Sequence, residues 1–368
     1  MTYIRGFDGL RAISITMVVL THLGAKALLP DNDYIKNRVW ELCAGVTGVN
    51  VFFAISGFLI TRILLQEKSS TGSISFKNFY ARRFLRLLPP LLLFYTAIVV
   101  LMKFDLIKTS LTSVFLSFFY LYNYTPYSIY SEFLGHTWSL AVEEQFYLLW
   151  PFVVASLAPN RMVRLTALIA FLSLLGFYLI AHVSYEHNGV VYTLNSWFYA
   201  HRLFIPAVGP IMIGAGCSVM VFYQFRFVKK WLSLAGTPWY CLLLFASPLY
   251  LPGFLFAAFP LVQAVGISLL LAWIFNNQQS TLTNVLEWKP LSFVGKISYG
   301  LYVYQGLFLG TSIEGNSIWI QQFPQNLIFT VGVAVLSFYF LEKPVLKFKK
   351  YFVTRQQPAG TAAAKKFS

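Results

Sequence analysis

Arg11 and His22 stand eleven positions apart in the apolar run RAISITMVVLTH. At about 100° per residue, eleven steps make about three turns plus ~20°, so on a helix both side chains share nearly one face, about 16 Å apart along the axis. A guanidinium grips anionic oxygens, and an imidazole gives or takes a proton near neutral pH. A ligand bridging the two would hold its charged head at Arg11 and its reactive end at His22. Asp8 lies about one turn before Arg11 on an adjacent stripe. The competing reading makes Arg11 a snorkelling interfacial anchor and lets His22 bond a backbone carbonyl or face the outer boundary.

Other constellations share this character. FYARRFLRLLPP gathers Arg82, Arg83 and Arg86 within about one helical turn, either as a grip for phosphate oxygens or as a topology anchor. HTWSLAVEEQFYLLWP places Glu143 and Glu144 about ten residues into a helix, at a depth expected to match that of His22. One of them would orient the imidazole and raise its basicity; alternatively both line a water-filled funnel. His136, Trp138, Tyr199 and Arg202 mark the opposite boundary, as a polar acceptor site or as an aromatic belt with a snorkelled arginine. Ser56, Gly295 and Ser298 read as small residues for close helix packing, with no nucleophilic role for Ser56. The five histidines are dispersed without metal-ligand spacing, and no GxSxG elbow occurs.

The elements that must position these groups belong in a bilayer. A chain of 368 residues that is 57% hydrophobic and 11% charged has more apolar side chains than a soluble core can hide. Its 36 Phe and 22 Tyr recur at the edges of apolar runs, as interfacial rings do. The expected fold is all-α and polytopic, with about ten spans at 8–24, 46–66, 84–103, 134–157, 163–182, 202–222, 231–247, 255–275, 293–311 and 325–343. With both termini cytoplasmic, 22 of the 28 basic residues fall in inner segments, which fixes the parity. An eleventh span at 113–122 would reverse that bias, so this stretch is expected to be re-entrant or interfacial.

Residues 1–345 then form the membrane domain and 346–368 a basic, disordered cytoplasmic tail. The first apolar run lacks a basic leader and a small-residue cleavage site, so it reads as a retained helix. Basic residues spread among short loops argue against nucleic acid, and three cysteines argue against a disulfide framework.

The blocks RGFDGLRAISITMVVLTHLG, GVNVFFAISGFLITRILL, FYARRFLRLLPP, HTWSLAVEEQFYLLWP and FVGKISYGLYVYQ occur in that order. Together they resemble the acyltransferase-3 family of bacterial membrane O-acyltransferases over nearly the whole chain. The resemblance implies transfer of an acyl group, usually acetyl from cytoplasmic acetyl-CoA, to a hydroxyl of a cell-envelope glycan or a glycosylated metabolite at the bacterial inner membrane. It implies His22 as general base with Glu143 or Glu144 in support, and Arg11, Arg82, Arg83 and Arg86 on the phosphates of coenzyme A, with no permanently bound cofactor. Some relatives carry a fused SGNH hydrolase-like domain; none is expected here, which leaves open an envelope-biosynthesis partner protein. The rival class is a transporter or flippase in which the buried charges line a path without bond chemistry.

Overall fold

A computed structural model of the chain describes residues 3–182, 184–187, 190–193, 199–234, 236–309 and 319–352. Its principal helices are α1 (Phe7–His22), α2 (Gly45–Thr71), α3 (Phe76–Lys103), α4 (Leu111–Phe118), α5 (Thr137–Ser156), α6 (Pro159–His182), α7 (Gly209–Phe222), α8 (Thr237–Phe245), α9 (Phe259–Asn276), α10 (Lys289–Phe308) and α11 (Gln325–Ser337). Every stretch expected to span contains helix. Six helical segments among the described residues are long and apolar enough to cross a membrane: Ile35–Thr71, Phe76–Lys103, Pro159–Ile180, Ala200–Phe222, Phe259–Asn276 and Gln325–Phe352.

One element departs from an all-α reading. Strands β1 (Ser184–His187) and β2 (Val190–Thr193) pair antiparallel, Ser184 opposite Thr193 and His187 opposite Val190. Val190, Val191 and Thr193 are β-branched, as strands favour.

Four helices build the frame of the site. The Phe7 and Phe58 rings lie 6.0 Å apart, while the Gly45 N–H donates to Thr21 Oγ1 at 2.7 Å, so α1 and α2 run antiparallel. Along α5, Trp138 meets Phe53 at 6.1 Å and Trp150 Nε1 donates to Thr61 Oγ1 at 2.7 Å, so α5 runs parallel to α2. The start of α10 meets the start of α1 so closely that a Cβ on Gly295 would lie 1.9 Å from the Asp8 carbonyl oxygen; only glycine permits that approach. Further along α10, Tyr302 reaches Ser139 at 2.5 Å and Gly306 abuts His136, which sets α10 antiparallel to α5. Trp150, Tyr304, Phe58, Phe94 and Phe146 are among the largest side chains sealed in the resulting core.

α3 closes one side of this frame. Its Ser75 cap accepts from the Asn78 N–H, and Pro89 and Pro90 remove two intrahelical donors in mid-helix. Tyr80 and Tyr299 tie it to its neighbours by donating to the carbonyls of Leu148 and Leu87, at 2.8 and 3.0 Å. Of the stretch 113–122, expected to be re-entrant or interfacial, residues 113–118 lie in the eight-residue α4, only about 12 Å long and too short to span. Ser113 and Ser117 face inward while Phe115 and Phe119 face out, the disposition of an interfacial helix. Residues 347–352, read with the tail in the sequence, form a 3₁₀ segment whose Phe352 carbonyl accepts from Arg82 at 2.6 Å; 353–368 lie outside the described residues.

Candidate active site

A cavity of about 1010 Å³ follows α2 from Thr71 to Val49, about 33 Å of helix rise. One end is strongly cationic. Arg82 is paired with Glu67 at 3.2 Å, and Arg83 lies 3.9 Å over the Tyr147 ring. Arg86 follows one turn further along α3 and is in electrostatic reach of Arg11 and Arg83. Arg11 also lines the cavity, held by the buried Asp8 carboxylate at 3.1 Å. The arginines singled out on α1 and α3, 71 or more positions apart in the chain, therefore share one wall.

Glu143 and Glu144 face the middle of this cavity. Glu143 Oε1 accepts from the Ser56 hydroxyl and from Tyr147 OH, the latter at 2.6 Å. This differs from the depth expected of it. α5 begins beyond its His136 cap, and Glu143 lies opposite Ser56, near the level where α1 starts; His136, about 10 Å further along the axis, stands at the level of His22. Helix packing thus hands the carboxylate to a serine and a tyrosine rather than to the imidazole.

His22 ends α1 and is half-buried, its Nδ1 2.8 Å from the Val18 carbonyl oxygen. A carbonyl only accepts, so Nδ1 carries the hydrogen and Nε2 keeps its lone pair. The helix's own backbone therefore fixes the tautomer. The His136 ring is wedged between Phe94 and Tyr302, at centroid distances of 5.5 and 5.7 Å, with Nε2 buried and unpartnered among the described residues.

His22 is not among the residues that line the cavity. Its far wall is Val49, Ser139 and Tyr302; Tyr302 OH donates to the His136 carbonyl oxygen at 3.1 Å and pairs with Ser139 Oγ. Beyond, Arg202 sits 3.9 Å over the Tyr199 ring, with Tyr130 and Trp138 at 5.4 and 5.6 Å. Trp138, Tyr199 and Arg202 thus form one aromatic–cation cluster, while His136 turns inward from it.

Sequence reasoning missed Ser56 as the partner of Glu143, the Ser139–Tyr302 closure, Tyr130 in the outer cluster, and Lys349 and Lys350 at the cationic end. Ser56, Ser139 and Tyr302 each carried a signal, as polar side chains inside the quoted blocks GVNVFFAISGFLITRILL, HTWSLAVEEQFYLLWP and FVGKISYGLYVYQ. The cavity thus runs from a cluster of guanidiniums and ammoniums, past two carboxylates, to the hydroxyls of Ser139 and Tyr302.

The sequence profile of the family described as "Acyltransferase domain" matches residues 4–342. Among curated proteins, "Putative peptidoglycan O-acetyltransferase YrhL" of Bacillus subtilis (strain 168) is 31% identical over 93% of this chain and 55% of its own length. "Peptidoglycan O-acetyltransferase OatA" of Listeria monocytogenes is 28% identical over 97% of this chain and 60% of its own. "O-acetyltransferase OatA" of Staphylococcus aureus is 26% identical over 94% of this chain and 57% of its own. The chain thus spans little more than half the length of these relatives. No solved structure matches.

Proposed function

This chain belongs to the acyltransferase-3 family, and from that premise we propose that it is a membrane O-acetyltransferase, moving acetyl from cytoplasmic acetyl-CoA to a hydroxyl of a cell-envelope glycan such as peptidoglycan. The observation that carries the reading is the polarity of the cavity, with clustered guanidiniums at one end and the hydroxyls of Ser139 and Tyr302 at the other, while His22, outside the lining, keeps Nε2 clear of its Val18 contact. The relatives named as peptidoglycan O-acetyltransferases support the acceptor class.

In this mechanism Arg82, Arg83 and Arg86 hold phosphates of coenzyme A from the inner face, with Arg11 deeper on the same wall. The pantetheine arm lies along the polar middle of the cavity past Ser56, Glu143 and Glu144, and brings the thioester to Ser139 and Tyr302. Tyr302 swings aside to admit it. The acceptor hydroxyl enters from the side of Trp138, Tyr199 and Arg202, with His136 beneath them. His22 Nε2 takes the hydroxyl proton as that oxygen attacks the thioester carbonyl; the C–S bond then breaks and the thiolate receives the proton. The Nδ1–H stays on the Val18 carbonyl throughout, stabilising the imidazolium between the two transfers. A hydroxyl from Tyr302 or Ser139 stabilises the developing oxyanion.

The topology that serves this chemistry has ten spans in the bacterial inner membrane with both termini cytoplasmic. That orientation delivers Arg82, Arg83 and Arg86 to the compartment that supplies the donor. The test is to supply radiolabelled acetyl-CoA to inverted membrane vesicles containing the chain and to analyse the labelled product. Label in a hydroxyl ester of a glycan fraction supports the reading; label that crosses the membrane unchanged would assign the chain to transport.

A further inference from the structure

The cationic end of the cavity holds more positive charge than the protein neutralises. Six cationic side chains line the cavity, Arg11, Arg82, Arg83, Arg86, Lys349 and Lys350, against three carboxylates, Glu67, Glu143 and Glu144. Among the described residues, Arg83, Arg86, Lys349 and Lys350 form no ion pair; the pairs in this region are Arg11–Asp8 and Arg82–Glu67. Lys349 and Lys350 come from the 3₁₀ segment Lys347–Phe352, which lies beyond the residues matched by the family profile. Its approach is fixed by the Phe352 carbonyl, which accepts from Arg82 Nη1 at 2.6 Å. The same arginine meets Glu67 through Nη2, so its fork is held rigid at the mouth beside the two lysines.

Position along the cavity distinguishes these lysines from the arginines. Lys350 is exposed, Lys349 half-buried, and both share the mouth with Ser70 and Thr71 at the end of α2, opposite the wall of Ser139 and Tyr302. In coenzyme A the 3′-phosphomonoester sits on the ribose, remote from the thioester, and carries a charge of about −1.5 to −2 near neutral pH. With the thioester toward His22, that group falls at the mouth.

We propose that the C-terminal segment Lys347–Phe352 completes the donor site, with Lys349 and Lys350 binding the 3′-phosphate of coenzyme A beside Arg82. This rests on the donor reading above and names the part of the donor that the segment recognises. An ammonium is a mobile point charge suited to a phosphomonoester at an open mouth, whereas the guanidinium forks deeper in suit the diphosphate. The shared chemistry is a phosphate oxygen, which an anionic lipid headgroup also offers to a basic membrane-proximal segment.

The experiment uses the full chain in phosphatidylcholine nanodiscs, titrated calorimetrically with coenzyme A and with dephospho-coenzyme A. The wild type is expected to prefer coenzyme A by about tenfold, the scale of one charge-assisted contact. The double substitution Lys349→Gln, Lys350→Gln should abolish that preference while binding dephospho-coenzyme A as the wild type does; Lys349→Arg, Lys350→Arg should retain it. A preference that survives the glutamine pair overturns the inference, as does an equal loss for both ligands. A second arm adds phosphatidylglycerol to the discs. If the glutamine pair changes only the response to that lipid, the lysines serve a headgroup and the inference fails. A wild type that binds neither nucleotide overturns the donor reading itself, an outcome distinct from a wild type that binds coenzyme A without using the lysines.

Discussion

Replacing Gly295 by alanine tests whether α1 and α10 hold Arg11 in place by backbone contact. The added Cβ would stand 1.9 Å from the Asp8 carbonyl oxygen and 2.5 Å from its carbon, where ordinary contact begins at 3.4 Å. The helices must part by about 1.5 Å, and backbone cannot yield as a side chain does. Overpacking of this kind costs ~1–3 kcal/mol. Glycine-to-alanine exchange within a helix also brings a gain of up to ~1 kcal/mol, which complicates any single measurement. Gly332→Ala in α11 supplies the matched control, because its Cβ would meet nothing within 4 Å. The helical gain is common to both variants, so their difference isolates the contact. Thermal unfolding in detergent, followed by tryptophan fluorescence, should place Gly295→Ala below wild type and Gly332→Ala at or above it, with a gap of ~1–3 kcal/mol. Equal stability for the two variants would refute the close approach, and with it the argument that α10 positions Asp8 and Arg11.

His22→Ala should reduce acetyl transfer by ~10²–10⁴-fold, the usual weight of general base catalysis, with membrane abundance unchanged on immunoblots. Arg83→Ala, which removes the cation held 3.9 Å over Tyr147, should raise the KM for acetyl-CoA by about tenfold and leave the acceptor KM alone; kinetics at fixed acceptor read this directly. Ser56→Ala deprives Glu143 of one of its two hydroxyl donors, and should lower kcat while abundance holds. An unchanged kcat would make that contact a packing feature alone.

Much of the frame was legible because membrane helices announce themselves by apolar length, and because a glycine in a tight block such as FVGKISYG has few other uses. The joint placement of Arg11, Arg82, Arg83 and Arg86 followed from two helices beginning at the same end. What escaped was contact between distant segments. Ser139 and Tyr302 are 163 positions apart, Ser56 and Glu143 are 87, and no periodicity links such pairs. The level expected of Glu143 differs for a related reason: counting residues inward assumes that the helix starts at the outer surface, whereas its His136 cap stands near the level of His22, which leaves Glu143 opposite Ser56. Residues 347–352 fall with the tail because they follow the last apolar run and adjoin the apolar-poor RQQPAGTAAAKKFS, and composition carries no sign of the carbonyl that Arg82 finds there.

The most direct measurement is an experimental structure of the full chain in a lipid disc with a non-hydrolysable thioether analogue of acetyl-CoA. The account predicts the phosphates against Arg82, Arg83 and Arg86, and the acetyl end past a displaced Tyr302, facing His22 Nε2. A lipid tail filling the cavity, or an analogue bound with its nucleotide toward Ser139, would contradict it.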